Sequence, residues 1–326
     1  MKYRPLGQTG LLVSEIGFGG WGIGGTQDGA VGYGATDDRE SLAALSRAYD
    51  LGVTFYDTAD LYGSGHSERL IGRAFQAARK KVVIASKGGR TDSKGGQDFS
   101  VPHLERSLEK SLRRLQTDYL DLYQLHDPPM ALLEDGQEIF AFLDRLKGSG
   151  KVRVVGISLR SPEEGAEALK RYGFQVVQSN FSMLDQRALQ NGLLELCRSS
   201  GAGFIARTPL CFGFLTGAYG EQTVFQDGDH RARWSPEQRA QWIQTSGHLL
   251  ARLEEGQQTP AQAALRFCLS YPGLSAAIPG ILTPAHAEEN SSASDLGPLP
   301  ERDRTRMEQA YAEQESFLGR PHVLSK

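Results

Sequence analysis

The chain has 326 residues, 39% of them apolar, which suffices for a sizeable core and excludes a disordered or fibrous protein. Its 36 Lys and Arg against 39 Asp and Glu give a formal net charge of -3 with no sustained run of one sign, so no nucleic-acid partner is expected. No apolar run approaches the roughly 18 residues of a membrane span, MKYRPLGQTG at the N-terminus lacks a signal segment, and three scattered cysteines (Cys197, Cys211, Cys268) suit buried reduced thiols. The expected setting is the cytosol, without a membrane.

In chain order, YRPLG and LLVSEIG pair as a hairpin across Gln8-Thr9-Gly10, placed to close one end of a barrel. Eight strand-like runs follow: 14–20, 53–57, 81–87, 119–126, 152–158, 174–180, 203–208 and 274–280, most of them the near-continuous apolar stretches of strands buried on both faces. Helical segments alternate with them. The first begins near Asp38; in 105–116, Leu108, Leu112 and Leu115 share one face; Ser161-Pro162-Glu163 opens a helix that Gly173 closes. This alternation predicts a (β/α)8 TIM barrel spanning residues 1–326 as one domain, with a short N-terminal β-hairpin and extra helices at 236–256 and 302–316. Loops at 24–36 and 211–234 exceed the repeat and are expected to shape a pocket. GFGGWGIGG does not open a helix as a dinucleotide-binding fingerprint would.

In such barrels the site lies at the C-terminal strand ends. Asp57 ends the second strand, Lys87 the third and His126 the fourth, and Tyr62 follows in the loop after Asp57. Singly, these read as a helix cap, a solvated cation, a core imidazole and a rim aromatic. Neighbouring strands lie about 4.8 Å apart, however, so their ends share one mouth. Together the four form a proton-transfer device. A phenol is a poor acid at neutral pH, an ammonium beside it favours its ionised form, and a carboxylate holds that ammonium charged. An imidazole N–H can then orient a carbonyl oxygen and stabilise the alkoxide that forms.

Through FYDTADLYGSGHSERLIG at 55–72, Ser86-Lys87 and DLYQLHDP at 121–128, the sequence resembles the aldo-keto reductase family. The likeness continues through VRVVGIS, QVVQSNFSMLD, TPLCFGFLTG and IPGILTPAHAEEN. It implies a metal-free oxidoreductase using NADPH or NADH on a small carbonyl or alcohol substrate, with Tyr62 the general acid, Lys87 and Asp57 its tuning pair and His126 the orienting group. Asp57 would also border the nicotinamide ribose, Ser158 and Gln178 would hold the carboxamide, and Gly20 and Trp21 would lie near the nicotinamide. Arg207, Thr208, Pro209, Leu210, Gly213, Leu215 and Gly217 would pass along the nicotinamide and pyrophosphate. Gly280, Thr283, His286, Glu289 and Asn290 would meet the adenosine end, and Trp21, Tyr62, His126 and Phe212 the substrate.

Departures from the family pattern also carry information. Leu159 replaces a common Asn, removing an amide partner of the cofactor, and Arg207 stands where many relatives stack a Tyr on the nicotinamide. Gly280, Leu282 and His286 occupy positions where cationic side chains often hold the 2′-phosphate of NADPH, so weak discrimination between the two cofactors is expected. Two other readings compete: a regulatory nucleotide-binding subunit of the potassium-channel β type, and a metal-dependent barrel isomerase or hydrolase. The second needs convergent anionic or imidazole ligands, whereas Asp57 and His126 stand beside a cationic Lys87.

Overall fold

The computed structural model describes residues 1–26, 30–220, 222–253 and 258–313. β1 (Tyr3–Pro5) and β2 (Leu12–Ser14) form the expected antiparallel hairpin, with Tyr3 opposite Ser14. Eight parallel strands then run in sequence order around the barrel: β3 (Phe18–Gly19), β4 (Phe55–Asp57), β5 (Val83–Gly88), β6 (Leu120–His126), β7 (Val152–Ser158), β8 (Val176–Asn180), β9 (Gly203–Arg207) and β10 (Ala276–Ala277). Single parallel bridges, Ile16 to Ala277 and Gly19 to Gly280, join the first strand to the last. Because those two strands meet only through single bridges, both are shorter than the apolar runs suggest.

Helices follow the strands as the apolar spacing requires. α1 (Asp38–Asp50) starts where Asp37 accepts from the N–H groups of Arg39 and Glu40. α2 (His66–Phe75) and α3 (Val101–Leu115) come next, and α3 buries Leu104, Leu108, Leu112 and Leu115. α4 (Met130–Glu134) and α5 (Gln137–Gly148) share the fourth connection. α6 (Pro162–Tyr172) is capped by Ser161, which accepts from the N–H of Glu164, and ends at left-handed Gly173. α7 (Arg187–Gln190) and α8 (Leu193–Ser200) precede β9, and α9 (Pro236–Leu250) and α10 (Pro260–Leu269) precede β10. α11 (Pro284–Leu296) and α12 (Glu301–Ala312) complete the described chain. Residues 254–256 and 314–316, expected to extend α9 and α12, and 27–29 and 221 of the two long loops lie outside the described residues.

The barrel interior explains where the polar groups fall. Side chains alternate in and out along a strand, so positions two apart share a face. Phe55, Ala85, Leu122, Val154, Val176 and Ile205 form one apolar layer, into which the hairpin inserts Leu6, Leu11 and Val13. Two residues further along each strand the same face carries Asp57, Lys87, Gln124, Gly156, Gln178 and Arg207, so the core changes from apolar to polar within one step. The hairpin is therefore the floor of the barrel, and the polar layer faces the opposite mouth.

Candidate active site

The polar layer is one connected network. Lys87, fully buried, donates to one carboxylate oxygen of Asp57, to the carbonyl of Thr58 at 2.9 Å and to the Tyr62 hydroxyl at 3.2 Å. The other Asp57 oxygen accepts from the amide of Gln124 at 3.1 Å and from that of Gln178 at 2.8 Å. Asp57 is thus satisfied by an ammonium and two amides, the condition under which a buried charge pair is tolerated. Ser158 donates to the Gln178 carbonyl at 3.0 Å and accepts from Arg207 at 3.3 Å.

Tyr62 reaches this network from the turn after β4. Gly63, Ser64 and Gly65 all have positive φ, and a Cβ at Gly63 would lie 2.0 Å from the Gly24 carbonyl oxygen, so the close approach of the two loops requires glycine there. The turn is pinned below by Ser67, which accepts from Thr58 and donates to the Gly20 carbonyl. His126 lies edge-on to Tyr62 with ring centroids 6.0 Å apart. Burial, then the charges of Lys87, Arg207, Arg90 and Arg160, hold its imidazole well below the usual histidine range, so it is neutral near pH 7. Its Nδ1 is buried without a protein partner.

The two long loops meet over the mouth. Gly32 and Tyr33 bridge to Asp229, and the N–H of His230 donates to the Gly32 carbonyl. Trp21, Tyr33, Phe212 and Trp234 surround His230 at centroid distances of 4.5, 5.3, 5.0 and 4.7 Å. Burial lowers the His230 pKa to about 3 despite Asp229, whose carboxylate lies 3.8 Å from Nδ1, and neither ring nitrogen has a hydrogen-bond partner. Arg231 pairs with Asp229, donates to the Phe212 carbonyl at 3.2 Å and lies over the Tyr33 ring of the other loop, 4.6 Å from its centroid. Trp21 and Phe212, expected as pocket walls, are in contact here with centroids 6.4 Å apart.

The remaining sequence-derived positions fall along one path. Thr208, Cys211, Phe212 and Gly213 all take positive φ, making an irregular segment after β9, and Thr208 donates to Asn180 at 3.3 Å. Leu210 and Leu215 turn their side chains into the core, so only their backbones are offered to a ligand; Pro209 is also buried, and Gly217 is exposed at the segment's end. At Gly280 a Cβ would meet nothing closer than Tyr33 at 3.7 Å, so packing does not demand glycine and the space beside Gly19 stays open. Thr283 caps α11 by accepting from the N–H of His286, whose Nδ1 accepts in turn from the Leu282 N–H at 3.4 Å. Glu289 is half-buried and Asn290 buried on the same helix. Cradle, amide and hydroxyl donors, and a capped helix start suit an extended nucleotide. Gly20 needs no ligand to explain it, because a Cβ there would lie 2.7 Å from the Ser67 hydroxyl.

Sequence reasoning missed four contributors. Gln124 holds Asp57, and its position two residues after an inward Leu122 was the signal for it. His230 had no signal, because it lies in an aperiodic loop. Arg90 and Arg160 lie two residues beyond the ends of β5 and β7. Among the described residues, no three His, Cys, Asp or Glu side chains converge as a metal site, and no helix is long and apolar enough to cross a membrane. The three cysteines are free and buried, as expected.

A parallel eight-stranded barrel carrying Asp57, Lys87, Tyr62 and His126 at one mouth defines a class of carbonyl oxidoreductase, and comparison with known proteins agrees. The profile of the aldo/keto reductase family matches residues 15–312, and the chain belongs to that family of NAD(P)H-dependent oxidoreductases. Aldo-keto reductase YhdN of Bacillus subtilis is 31% identical over 299 residues, which cover 88% of this chain and 87% of that one. NADH-specific methylglyoxal reductase of Escherichia coli is 30% identical over 332 residues, covering 94% and 97%. Among solved structures, the holo form of aldo-keto reductase AKR11C1 from Bacillus halodurans superposes with a TM-score of 0.78 at 27% identity, covering 97% and 99%.

Proposed function

We propose that the protein reduces the carbonyl of an aldehyde, ketone or sugar-like compound to the alcohol, or catalyses the reverse oxidation, at the mouth formed by Tyr62, Lys87, Asp57 and His126. The observation that carries this reading is the Lys87 ammonium held between Asp57 and the Tyr62 hydroxyl, 3.2 Å from the latter. Tyr62 delivers a proton to the carbonyl oxygen. Lys87 stabilises the negative charge left on the phenol oxygen, and Asp57, fixed by Gln124 and Gln178, keeps the ammonium in place. His126, neutral because it is buried among cations, offers an N–H to the same carbonyl oxygen without competing as the acid. When bound, NADPH or NADH supplies the hydride for the carbonyl carbon.

The residues that would hold the cofactor are Ser158, Gln178 and Arg207 at the nicotinamide, the 208–217 segment at the pyrophosphate, and Gly280, Thr283, His286, Glu289 and Asn290 at the adenosine. Gln178 already gives its N–H groups to Asp57 and Gln124, so what it can offer a ligand amide is the second lone pair of its carbonyl oxygen, the first accepting from Ser158. Trp21 and Phe212 would wall the substrate space. The described part of the chain works as one barrel domain, and three buried thiols suit the reducing cytosol. An assembled proton-donor network favours an enzyme over a regulatory subunit. Screening aldehydes, ketones and sugars against both reduced cofactors tests the reading: saturable oxidation of the nicotinamide supports it, and no turnover with any carbonyl overturns it.

A further inference from the structure

Three arginines at the strand ends carry charges that act on His126: Arg90 two residues after β5, Arg160 two residues after β7 and Arg207 at the end of β9. Arg207 is bonded to Ser158 within the cofactor network. The other two share a single carboxylate. Arg160 Nε lies 3.1 Å from Asp127, and Arg90 reaches the same oxygen at 3.8 Å. Arg90 is the more poorly satisfied. Its side chain is 11% exposed, its Nε is buried without a hydrogen-bond partner among the described residues, and its ion pair with Asp127 is longer than a hydrogen bond.

Asp127 follows His126 directly and holds a left-handed backbone at φ 61°, fixed by its N–H to the Ser158 carbonyl at 2.7 Å and by the Gln97 amide on its own carbonyl at 2.6 Å. The carboxylate is therefore placed between the two arginines by its backbone. Glu164 faces it from α6 and feels the charges of Asp127, Glu163 and Glu167. Two cations share one anion next to His126, an excess of positive charge that Glu164, its carboxyl pushed up by burial and by Asp127, only partly offsets. A guanidinium fork is the donor that matches carboxylate and phosphate oxygens.

We propose that Arg90 and Arg160 form an anion seat next to His126, so that the preferred substrate is a carbonyl compound carrying a carboxylate or phosphate, with Asp127 as the internal group this anion displaces or shares. The inference rests on the reductase reading above and narrows its substrate class. The shared chemistry is a planar or tetrahedral oxyanion on the same molecule as the reacting carbonyl.

Two matched pairs test it: 4-carboxybenzaldehyde with its methyl ester, and glycolaldehyde phosphate with glycolaldehyde. The readout is the ratio of kcat/KM for the anionic over the neutral member, in the native protein and in Arg90→Gln, Arg160→Gln and the double variant. A charge-assisted hydrogen bond lost in each variant lowers the ratio about 10- to 100-fold for one pair, and the pair that responds identifies carboxylate or phosphate. Asp127→Asn, which tolerates the left-handed backbone, removes the internal competitor and raises the ratio. Calorimetric binding of the two alcohol products, 4-(hydroxymethyl)benzoate and 2-hydroxyethyl phosphate, to the NADPH-loaded protein supplies a readout without turnover, and the arginine variants weaken one of them correspondingly. Ratios within about threefold of native in both pairs, with binding of both anions unchanged, overturn the anion seat while neutral aldehydes are still reduced. Failure of the reductase reading looks different: no aldehyde is turned over, whereas the calorimetric arm still reports on the arginines.

Discussion

Replacing His230 by phenylalanine should flatten the dependence of stability on pH. In the folded protein this imidazole sits among Trp21, Tyr33, Phe212 and Trp234 with neither nitrogen hydrogen-bonded, and burial lowers its pKa to about 3 although the Asp229 carboxylate lies 3.8 Å from Nδ1; an ordinary histidine titrates near 6.5. Between those values the unfolded chain binds a proton that the folded chain refuses. Stability is therefore intact above about pH 6.5 and is lost as pH falls toward 3, at up to ~1.4 kcal/mol per pH unit. Between pH 6 and pH 4 the native protein should lose about 2 kcal/mol more than His230→Phe. His126 contributes with the same sign, whereas Asp60, raised to about 7 by burial, contributes with the opposite sign; both are common to the two proteins and cancel in the comparison. All three tryptophans of the chain, Trp21, Trp234 and Trp242, lie in this cluster, so fluorescence would report the loops alone. Urea unfolding followed by far-ultraviolet circular dichroism at several pH values is the suitable assay. Equal slopes for the two proteins would refute the account of a buried neutral imidazole.

Lys87→Met leaves Asp57 buried with two amides but no cation, and unfolding in urea should show a loss of about 3 kcal/mol together with a severe loss of reduction rate; unchanged stability would mean that the pair is not buried as described. For the cofactor, the segment after β10 offers Thr283, the start of α11 and His286 but no arginine or lysine of its own, and the nearby Arg47 is engaged by Glu288 at 2.8 Å. The ratio of kcat/KM for NADPH over NADH should therefore stay modest, because a 2′-phosphate finds no permanent cation in this segment; a preference above about 100-fold for NADPH would contradict this reading.

Much of the fold is legible in the sequence, because barrel strands buried on both faces are nearly continuous apolar runs and their polar terminators stand out. Asp57, Lys87 and His126 end such runs and were brought together as expected, with Tyr62 delivered by the glycine-rich turn that follows. Gln178 was expected to serve a ligand amide, but most of its hydrogen-bonding capacity goes to Asp57, Gln124 and Ser158, a division of labour set by three-dimensional register. The loops at 24–36 and 211–234 were legible only as long. That they join through Asp229, enclose His230 and meet where Arg231 covers Tyr33 depends on contacts between segments nearly 200 residues apart, which no local periodicity encodes. Arg90 and Arg160 were invisible for a related reason: each is an ordinary loop cation until the barrel sets both against Asp127.

The central claim is that Tyr62 gives the proton, and Tyr62→Phe tests it most directly. The substitution deletes one hydroxyl, while Lys87 keeps its bonds to Asp57 and to the Thr58 carbonyl, so the site stays assembled. Steady-state reduction and a fluorescence titration of the reduced cofactor should be measured on the same preparation. The account predicts a rate lower by about 100- to 10,000-fold with cofactor affinity nearly unchanged. A variant that retains more than about a tenth of the native rate would contradict it and remove Tyr62 from its role.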